Sequence, residues 1–545
     1  MLAVRPWGLT RIFRLSKMGV KLLTGTLFRP VPNEKPFPKG ESMKRKFQNL
    51  LVWLGLTICL LTLSSTSQSE NVWNKKVLDS ALLIWSPSIK VSPNNIPIVS
   101  FSEIRGKSNG FRIWLNQNGN WKLKPIDPSL EGSHIYSSSM KVDSNERLHF
   151  TFLKRDEGGL GPLKQIYSLL DETSWTFEQL DDKTSVGSID LVLISDDSPV
   201  VCYNVFYQLT PDYQYELMCK SKDEGSWGTL YSRSGYGFIW SPTIGLDSRN
   251  LVHATYDHIW YSSFTYDVLG HELVYEHQTE TGWVNERLAG GYTYNNSIIN
   301  DAIVLDSNDY PHMFYRILYS AANTTQLYHT YKDETGWHAE VVRTASWIDG
   351  VSAAIGSNDE IHIVYRSEGW KDDPYFDPYR NFMVYGHKSS GSWKAIALDS
   401  CKLKKCEDDE FATSIAVDSY DRPYVVYTFP KLIGNRKYQK IVYATLKTEI
   451  LAPNGGEIIP SGSDYTIRWG APVEAATFKL QYSLDKGLTW KPMAGGLTGR
   501  SHVWRVPDPT KNRRNCLVRV KAFDTMGRLV GVDRSDSRFS IEIAP

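Results

Sequence analysis

The chain has 545 residues, 41% of them hydrophobic and 22% charged, with a formal net charge of +1. Those values exclude long disorder and a collagen-like chain. Aromatics make up 12%, with 18 Trp and 30 Tyr, which favours strands and aromatic surfaces over helical bundles.

The near-neutral charge is a sum of unlike parts. Residues 1–69 hold 11 Lys+Arg against 2 acids, residues 70–448 hold 36 against 48, and residues 449–545 hold 14 against 10. In chain order, Met43-Lys44-Arg45-Lys46 is followed by an apolar run from Leu50 to Leu63 and then by Ser64-Ser65-Thr66-Ser67. A positive end, a short apolar core and small residues are the order of a secretory signal. The run is shorter than the roughly 20 residues a membrane span needs. Residues 1–69 are therefore read as a leader whose start is Met43. The mature protein is expected to be secreted, extracellular or at the cell surface, with the periplasm as the alternative. A membrane contact follows only if the leader is kept. The acidic stretch 70–448 repels phosphate backbones, so no nucleic-acid partner is expected.

From residue 70 onward a repeat organises the chain. Trp121, Trp175, Trp227, Trp283, Trp337 and Trp393 follow one another at spacings of 54, 52, 56, 54 and 56 residues. A second landmark, an aromatic closing a strand after a polar turn, falls at Phe101, Phe152, Tyr203, Tyr256, Tyr315, Tyr365 and Tyr427. Trp85-Ser86-Pro87 and Trp240-Ser241-Pro242 open two repeats alike. Period-2 alternation places four strands in the fifth repeat, at 300–305, 312–318, 326–331 and 337–343. Four short strands per unit of about 50 residues predict a β-propeller blade. The last repeat lacks its Gly-Ser-Trp strand, and Trp73-Asn74-Lys75-Lys76-Val77-Leu78-Asp79 matches Trp393 to Asp399. The expectation is an all-β, seven-bladed propeller over 70–448, closed by the N-terminal strand, with six or eight blades as alternatives.

Residues 449–545 change character. Pro453-Asn454-Gly455-Gly456-Glu457 precedes short strands around Tyr465–Trp469, Phe478–Ser483, Val503–Val506, Cys516–Phe523 and Phe539–Ile543. This predicts an immunoglobulin-like or fibronectin-like β-sandwich. Of the cysteines after Cys59, Cys401 and Cys406 are placed to close a small loop, and Cys202 and Cys219 to pair across neighbouring strands. Cys516 is left over, and free or buried thiols are the alternative for all five. Histidines at 149, 253, 312 and 362 sit at matching places in second strands and read as packing positions rather than as a metal site.

The repeats, with Ser-Pro-Ser-Ile-type openings and Gly-Ser-Trp closings, resemble secreted bacterial propellers of the sialidase-like (BNR-repeat) type. The tail resembles the Ig-like modules that open Pro-Asn-Gly-Gly-Glu. Ser483-Leu484-Asp485-Lys486-Gly487-Leu488-Thr489-Trp490 is similar to the Asp-box hairpin of sialidases, where it is structural. A sialidase would need an arginine triad, for which Arg316, Arg366 and Arg380 are candidates by position. Phe111-Arg112-Ile113-Trp114 resembles the family's Arg-Ile-Pro segment but has Trp for Pro and lies in a third strand.

The long strand 2–3 and blade-to-blade loops share one face, and function concentrates on such loops. Their residues are aromatic and acidic: Tyr207, Tyr213, Tyr236, Trp240, Asp257, Trp260, Tyr266, Tyr292, Trp347, Trp370, Asp373 and Tyr375, with Arg380 beside them. Ring faces stack on the C–H faces of a pyranose, and carboxylates accept its hydroxyl protons. The expected function is recognition of carbohydrate or another extracellular polymer. A glycan-cleaving enzyme, as glycoside hydrolase or polysaccharide lyase, and a protein-interaction scaffold are the alternatives. No cofactor is expected. Ca²⁺ on Asp372, Asp373 and Asp377 is a weaker option, since their spacing matches no calcium loop.

Overall fold

The computed structural model describes residues 73–105, 108–117, 120–155, 162–183, 185–208, 213–261, 268–291, 296–357, 359–369, 379–389, 391–402, 406, 411–419, 421–433, 436–471, 475–523, 527 and 529–543. The leader therefore lies outside the described residues.

Strands dominate, and within the described residues they form seven four-stranded antiparallel sheets before residue 449. The first sheet is Leu83–Val91, Pro97–Arg105, Ser108–Gln117 and Asn120–Lys124, in that spatial order. Five more follow with the same order, opening at His134–Val142, Ser185–Leu193, Phe238–Leu246, Asn296–Leu305 and Ile348–Ile355. Inner strands of consecutive sheets lie side by side, and Thr413–Val417 of the seventh lies beside Leu83–Val91 of the first. This is the arrangement of a β-propeller. The fifth sheet has strands Asn296–Leu305, Pro311–Tyr319, Thr324–Asp333 and Gly336–Ala345, each longer than the alternation alone outlined.

The seventh sheet takes its outermost strand from the other end of the described chain. Trp73–Ala81 pairs antiparallel with Arg436–Leu446, with Trp73 opposite Leu446. Trp73 then does what the repeat tryptophans do. Trp227 packs against Tyr167 of the sheet before it, Trp283 against Tyr231 and Trp337 against Tyr275. Trp73 packs against Tyr385, with ring centroids 4.8 Å apart, and Trp121 against Tyr443. Several of these indoles are fixed further by a carboxylate of the preceding sheet: Trp227 donates to Glu178, Trp337 to Glu286 and Trp393 to Glu340.

The short turns between strands 1 and 2 carry a second set of links. A serine of one turn donates its N–H and hydroxyl to an Asp or Asn of the next sheet's turn. The pairs are Ser144 with Asp197, Ser248 with Asp309, Ser307 with Asp359, and Ser357 with Asp421. Ser195 donates its N–H to Asn250 Oδ1 and accepts from Asn250 Nδ2 at its hydroxyl, and Ser419 of the seventh sheet donates to Asn95 of the first. The acceptor residues adopt positive φ, which short Asn and Asp side chains tolerate, so turn conformation and inter-sheet bond come from one residue type.

The matched histidines are packing positions. His149 hydrogen-bonds Tyr167, His253 bonds Tyr275 and His362 bonds Tyr385, each strand-2 imidazole meeting a strand-3 phenol. In the fifth sheet His329 replaces the tyrosine and meets His312 at 2.9 Å. Burial pushes His253 down to about 4, with neighbouring His277 and Arg249 also opposing its charge and Asp247 favouring it. His271, buried near the loop face, is likewise pushed down to about 4. Both titrate near 6.5 when unfolded, so below that pH the unfolded chain binds protons that the native chain refuses. Stability is expected to fall as pH drops from 6.5 towards 4, by about 3 kcal/mol for each such histidine. Denaturant melts across that window check this, and His253→Gln should flatten the slope.

Both anticipated disulfides form, Cys202–Cys219 across directly paired strands and Cys401–Cys406, while Cys516 is a buried free thiol. After residue 449 a three-stranded and a six-stranded sheet enclose one apolar cluster that includes Trp469, Phe478, Trp504 and Phe539. Within it the Asp-box-like turn is held by its own side chains. Ser483 Oγ accepts from Gly487 N–H at 2.8 Å, and Asp485 accepts from Thr489 N–H at 2.9 Å. Trp490 lies against Arg519. Nothing in that turn points beyond local folding.

Candidate functional site

The loop face begins where inner strands start and second strands end. Its chemistry is set by one position, the residue directly after the core aromatic of strand 2. That residue is Ser102, Leu153, Asn204, Asp257, Arg316, Arg366 and Thr428 in successive sheets, and every one is buried. Four of these seven are uncharged side chains that suit a buried site. The fourth, fifth and sixth sheets place charges there instead.

Asp257 sits opposite Trp240 in the strand pairing, 3% exposed, with Oδ1 lacking a partner among the described residues. Trp240 precedes a β-bulge at Ser241-Pro242, where Ser241 takes φ +48°, so the repeat's Trp-Ser-Pro opening serves to redirect the strand at the rim. Gly237, at φ +101°, lets the incoming chain pass the Ile259 carbonyl, which a Cβ would meet at 2.2 Å. Burial pushes the Asp257 carboxyl up to about 7, and nearby Asp301 adds to the rise while Arg316 opposes it. Asn300 clasps the fourth and fifth sheets beside it, donating to the carbonyls of Ser241 and Thr255 at 2.7 and 3.0 Å.

Arg316 grips Asp301 with two hydrogen bonds of 2.8 and 2.9 Å and reaches the sixth sheet through a 2.8 Å bond to the Ile348 carbonyl. Burial raises Asp301 above the usual carboxylate range, and Arg316 counteracts this. Arg366 donates to Asp349 at 2.9 Å, to Glu368 at 2.9 Å and to Asn381, and its guanidinium lies over the Phe411 ring at 4.6 Å. Trp347 donates its indole N–H to Asp349 at 2.9 Å. Asp349 Oδ1 and Asn381 Nδ2 are buried without a partner among the described residues. The result is an arc over three sheets, flanked by Trp240 and Trp347, in which two carboxylate oxygens and one amide nitrogen are buried without a hydrogen-bond partner among the described residues.

The expected residues fare unequally. Trp240, Asp257 and Trp347 belong to this arc. Trp260 lies on the other side of its strand, near His258 and Arg287, both of which Glu272 contacts, at 3.0 and 3.2 Å. Arg380 bonds Ser400 Oγ at 2.7 Å. Tyr207, Tyr213 and Tyr236 lie in the third sheet with described backbone only, Tyr207 facing Gln214 and Tyr213 facing Gln208 in register. Tyr266, Tyr292, Trp370, Asp373 and Tyr375, and with them Asp372 and Asp377 of the calcium option, lie outside the described residues. No grouping of three metal-ligand side chains occurs among the described residues. Arg316 and Arg366 do not present free guanidiniums, and Arg112 is held by Glu103 at 2.7 Å. Asp301, Glu368, Asn300 and Asn381 were missed by sequence reasoning. The recurring aromatic landmark was the available signal, because its next residue switches from small or apolar to charged.

Replacing Asp257 tests its burial. Its carboxyl is raised in the native state, so stability falls as pH rises from about 4 to about 7, where the unfolded chain has lost a proton that the native chain keeps. The full cost above that pH is about 4 kcal/mol, from which a buried amide's own desolvation subtracts about 2. Asp257→Asn should therefore melt above wild type at pH 8 and show little difference at pH 5, as calorimetry at the two pH values will read.

No family profile matches the chain, and no curated protein matches it. Solved structures give low-scoring matches. A protein of unknown function from Dyadobacter fermentans aligns at TM-score 0.39 and 10% identity, over 58% of this chain and 96% of its own. A polysaccharide lyase described as PL25 ulvan lyase aligns at TM-score 0.41 and 11% identity, over 68% and 94%. An α-L-arabinanase of Penicillium chrysogenum, complexed with arabinobiose, aligns at TM-score 0.37 and 10% identity, over 57% and 92%.

Proposed function

We propose that the protein is an exported seven-bladed β-propeller, closed by Trp73–Ala81 and followed by an Ig-like module that serves as spacer or attachment unit. Its function is to recognise a carbohydrate or another extracellular polymer on the loop face over the fourth to sixth sheets. The observation that carries this reading is the arc itself. Buried charges are expensive, and a position filled by uncharged Ser, Leu, Asn or Thr in the other four sheets carries Asp, Arg and Arg only here. Two unpartnered carboxylate oxygens between two tryptophans form the mixture of apolar wall and few polar groups that small-ligand sites use.

Trp240→Ala and Trp347→Ala are each expected to weaken glycan binding roughly tenfold or more, the loss typical of an aromatic anchor. A glycan array followed by titration calorimetry measures this. Binding unchanged in both variants would remove the assignment.

A second reading, glycan cleavage, is favoured by one group. A carboxyl that burial raises to about 7 keeps its proton to higher pH than an ordinary Asp, which suits a general acid. Turnover of chromogenic glycosides or of polysaccharides, lost by a factor of about 100 or more in Asp257→Asn, supports cleavage. Absence of turnover across the panel leaves recognition alone.

A further inference from the structure

We infer that this arc selects an uncharged, hydroxyl-rich glycan and rejects glycans that carry carboxylate or sulfate groups. The inference rests on the recognition site proposed above and adds its substrate class.

Recognition of an acidic sugar needs a cation whose hydrogen bonds are still available. The two inner strands of the fourth, fifth and sixth sheets carry two arginines at the rim, and both are committed. Arg316 gives Nε and Nη2 to Asp301 and Nη1 to the Ile348 carbonyl. Arg366 gives Nη1 to Asp349 and Nη2 to Glu368, shares Nε with Asn381, and has a face covered by Phe411. Opening either pair to admit a ligand anion would leave a buried carboxylate behind, at a cost the incoming anion cannot offset.

The field points the same way. Asp301, Asp349 and Glu368 face two guanidiniums, and Asp257 adds negative charge as pH rises through about 7, so carboxylates outnumber cations within one cluster. Arg316 lies within electrostatic reach of Asp257, Asp301 and Asp349 together, which places the acids near one another. An approaching carboxylate or sulfate meets repulsion in a partly dry site, where screening is weak.

The unpartnered atoms describe what fits instead. Asp257 Oδ1 and Asp349 Oδ1 are buried acceptors and Asn381 Nδ2 a buried donor, each without a partner among the described residues. A sugar hydroxyl both donates and accepts, so a run of hydroxyls satisfies all three without adding charge. Trp240 and Trp347 supply the apolar walls. Among the described residues, Arg380, which bonds Ser400 and stands at the start of a third strand, is the further cation that the experiment probes.

The experiment titrates the full chain with arabinan, xylan and laminarin oligosaccharides and with alginate, heparin and sialyllactose, at 50 and 500 mM NaCl. The expected result is binding of at least one neutral oligosaccharide with affinity nearly independent of salt, and acidic ligands at least tenfold weaker. Asp257→Asn/Asp349→Asn, measured at pH 8 where both carboxylates are ionised, removes two negative charges while keeping acceptor oxygens and should narrow that gap about tenfold. Acidic-ligand binding that equals or exceeds neutral binding, falls with salt and disappears in Arg380→Gln overturns the charge rule but leaves the recognition site standing. Failure of every glycan to bind overturns both.

Discussion

Trp73→Ala destabilises the protein by about 3–5 kcal/mol, the range for removing a large aromatic from a core. Trp73 is 3% exposed, although it opens the first described strand. It lies in one apolar cluster with Val364, Met383, Leu398, Phe411 and Val442, which come from the sixth and seventh sheets. Its ring meets Tyr385 edge-on, the contact that tryptophans on outer strands make elsewhere in the repeat. The loss should appear as a lower denaturant midpoint and as early exposure of the seventh sheet. Without Trp73–Ala81 the strand Arg436–Leu446 becomes a bare edge, with the aggregation risk of any such edge. Amide exchange should therefore rise first in residues 413–446. A midpoint within 0.5 kcal/mol of wild type would mean that the N-terminal strand is not part of the fold's closure.

Arg366→Met has the second large effect, a loss of about 3 kcal/mol, the lower end for breaking a buried pair. The guanidinium holds Asp349, Glu368 and Asn381 at once. Methionine fills much of its volume against Phe411 and removes the charge, so what is measured is mainly the lost bonds of the guanidinium to Asp349, Glu368 and Asn381. Pairing the change with Asp349→Asn should recover part of the loss, and the double-mutant cycle gives the coupling. Glycan affinity should fall in Arg366→Met even where the fold survives, because Asp349 then keeps only the Trp347 indole to orient it. Equal stability of Arg366→Met and wild type would remove the arc as a connected unit.

Much of the architecture was legible in the residues. Tryptophans at near-constant spacing marked the outer strands, and the match between Trp73–Asp79 and Trp393–Asp399 located the strand that completes the seventh sheet. Repeats are readable because each sheet meets the same neighbours and needs the same residues. The Ser–Asp links between turns were equally present in the residues but drew no notice, since a polar turn looks alike whether or not it bonds to its neighbour.

The site was legible only in part. Asp257, Trp240 and Trp347 stood out as acidic or aromatic residues near loops. Asp301 did not, because it lies inside a strand that otherwise reads as apolar, and its pairing with Arg316 depends on the bulge between Asn300 and Ala302. Arg316, Arg366 and Arg380 were candidates for an arginine triad by position alone. A sequence lists cations without their partners, and here Asp301, Asp349 and Glu368 occupy the first two.

The central claim is that the arc of the fourth to sixth sheets is the recognition surface. A crystal structure of the full chain with an oligosaccharide taken from the array tests it most directly. The account predicts a sugar ring against Trp240 or Trp347, with hydroxyls on Asp257 Oδ1 and Asp349 Oδ1. A sugar bound on the short-turn face or on residues 449–545, with this arc empty, would contradict it.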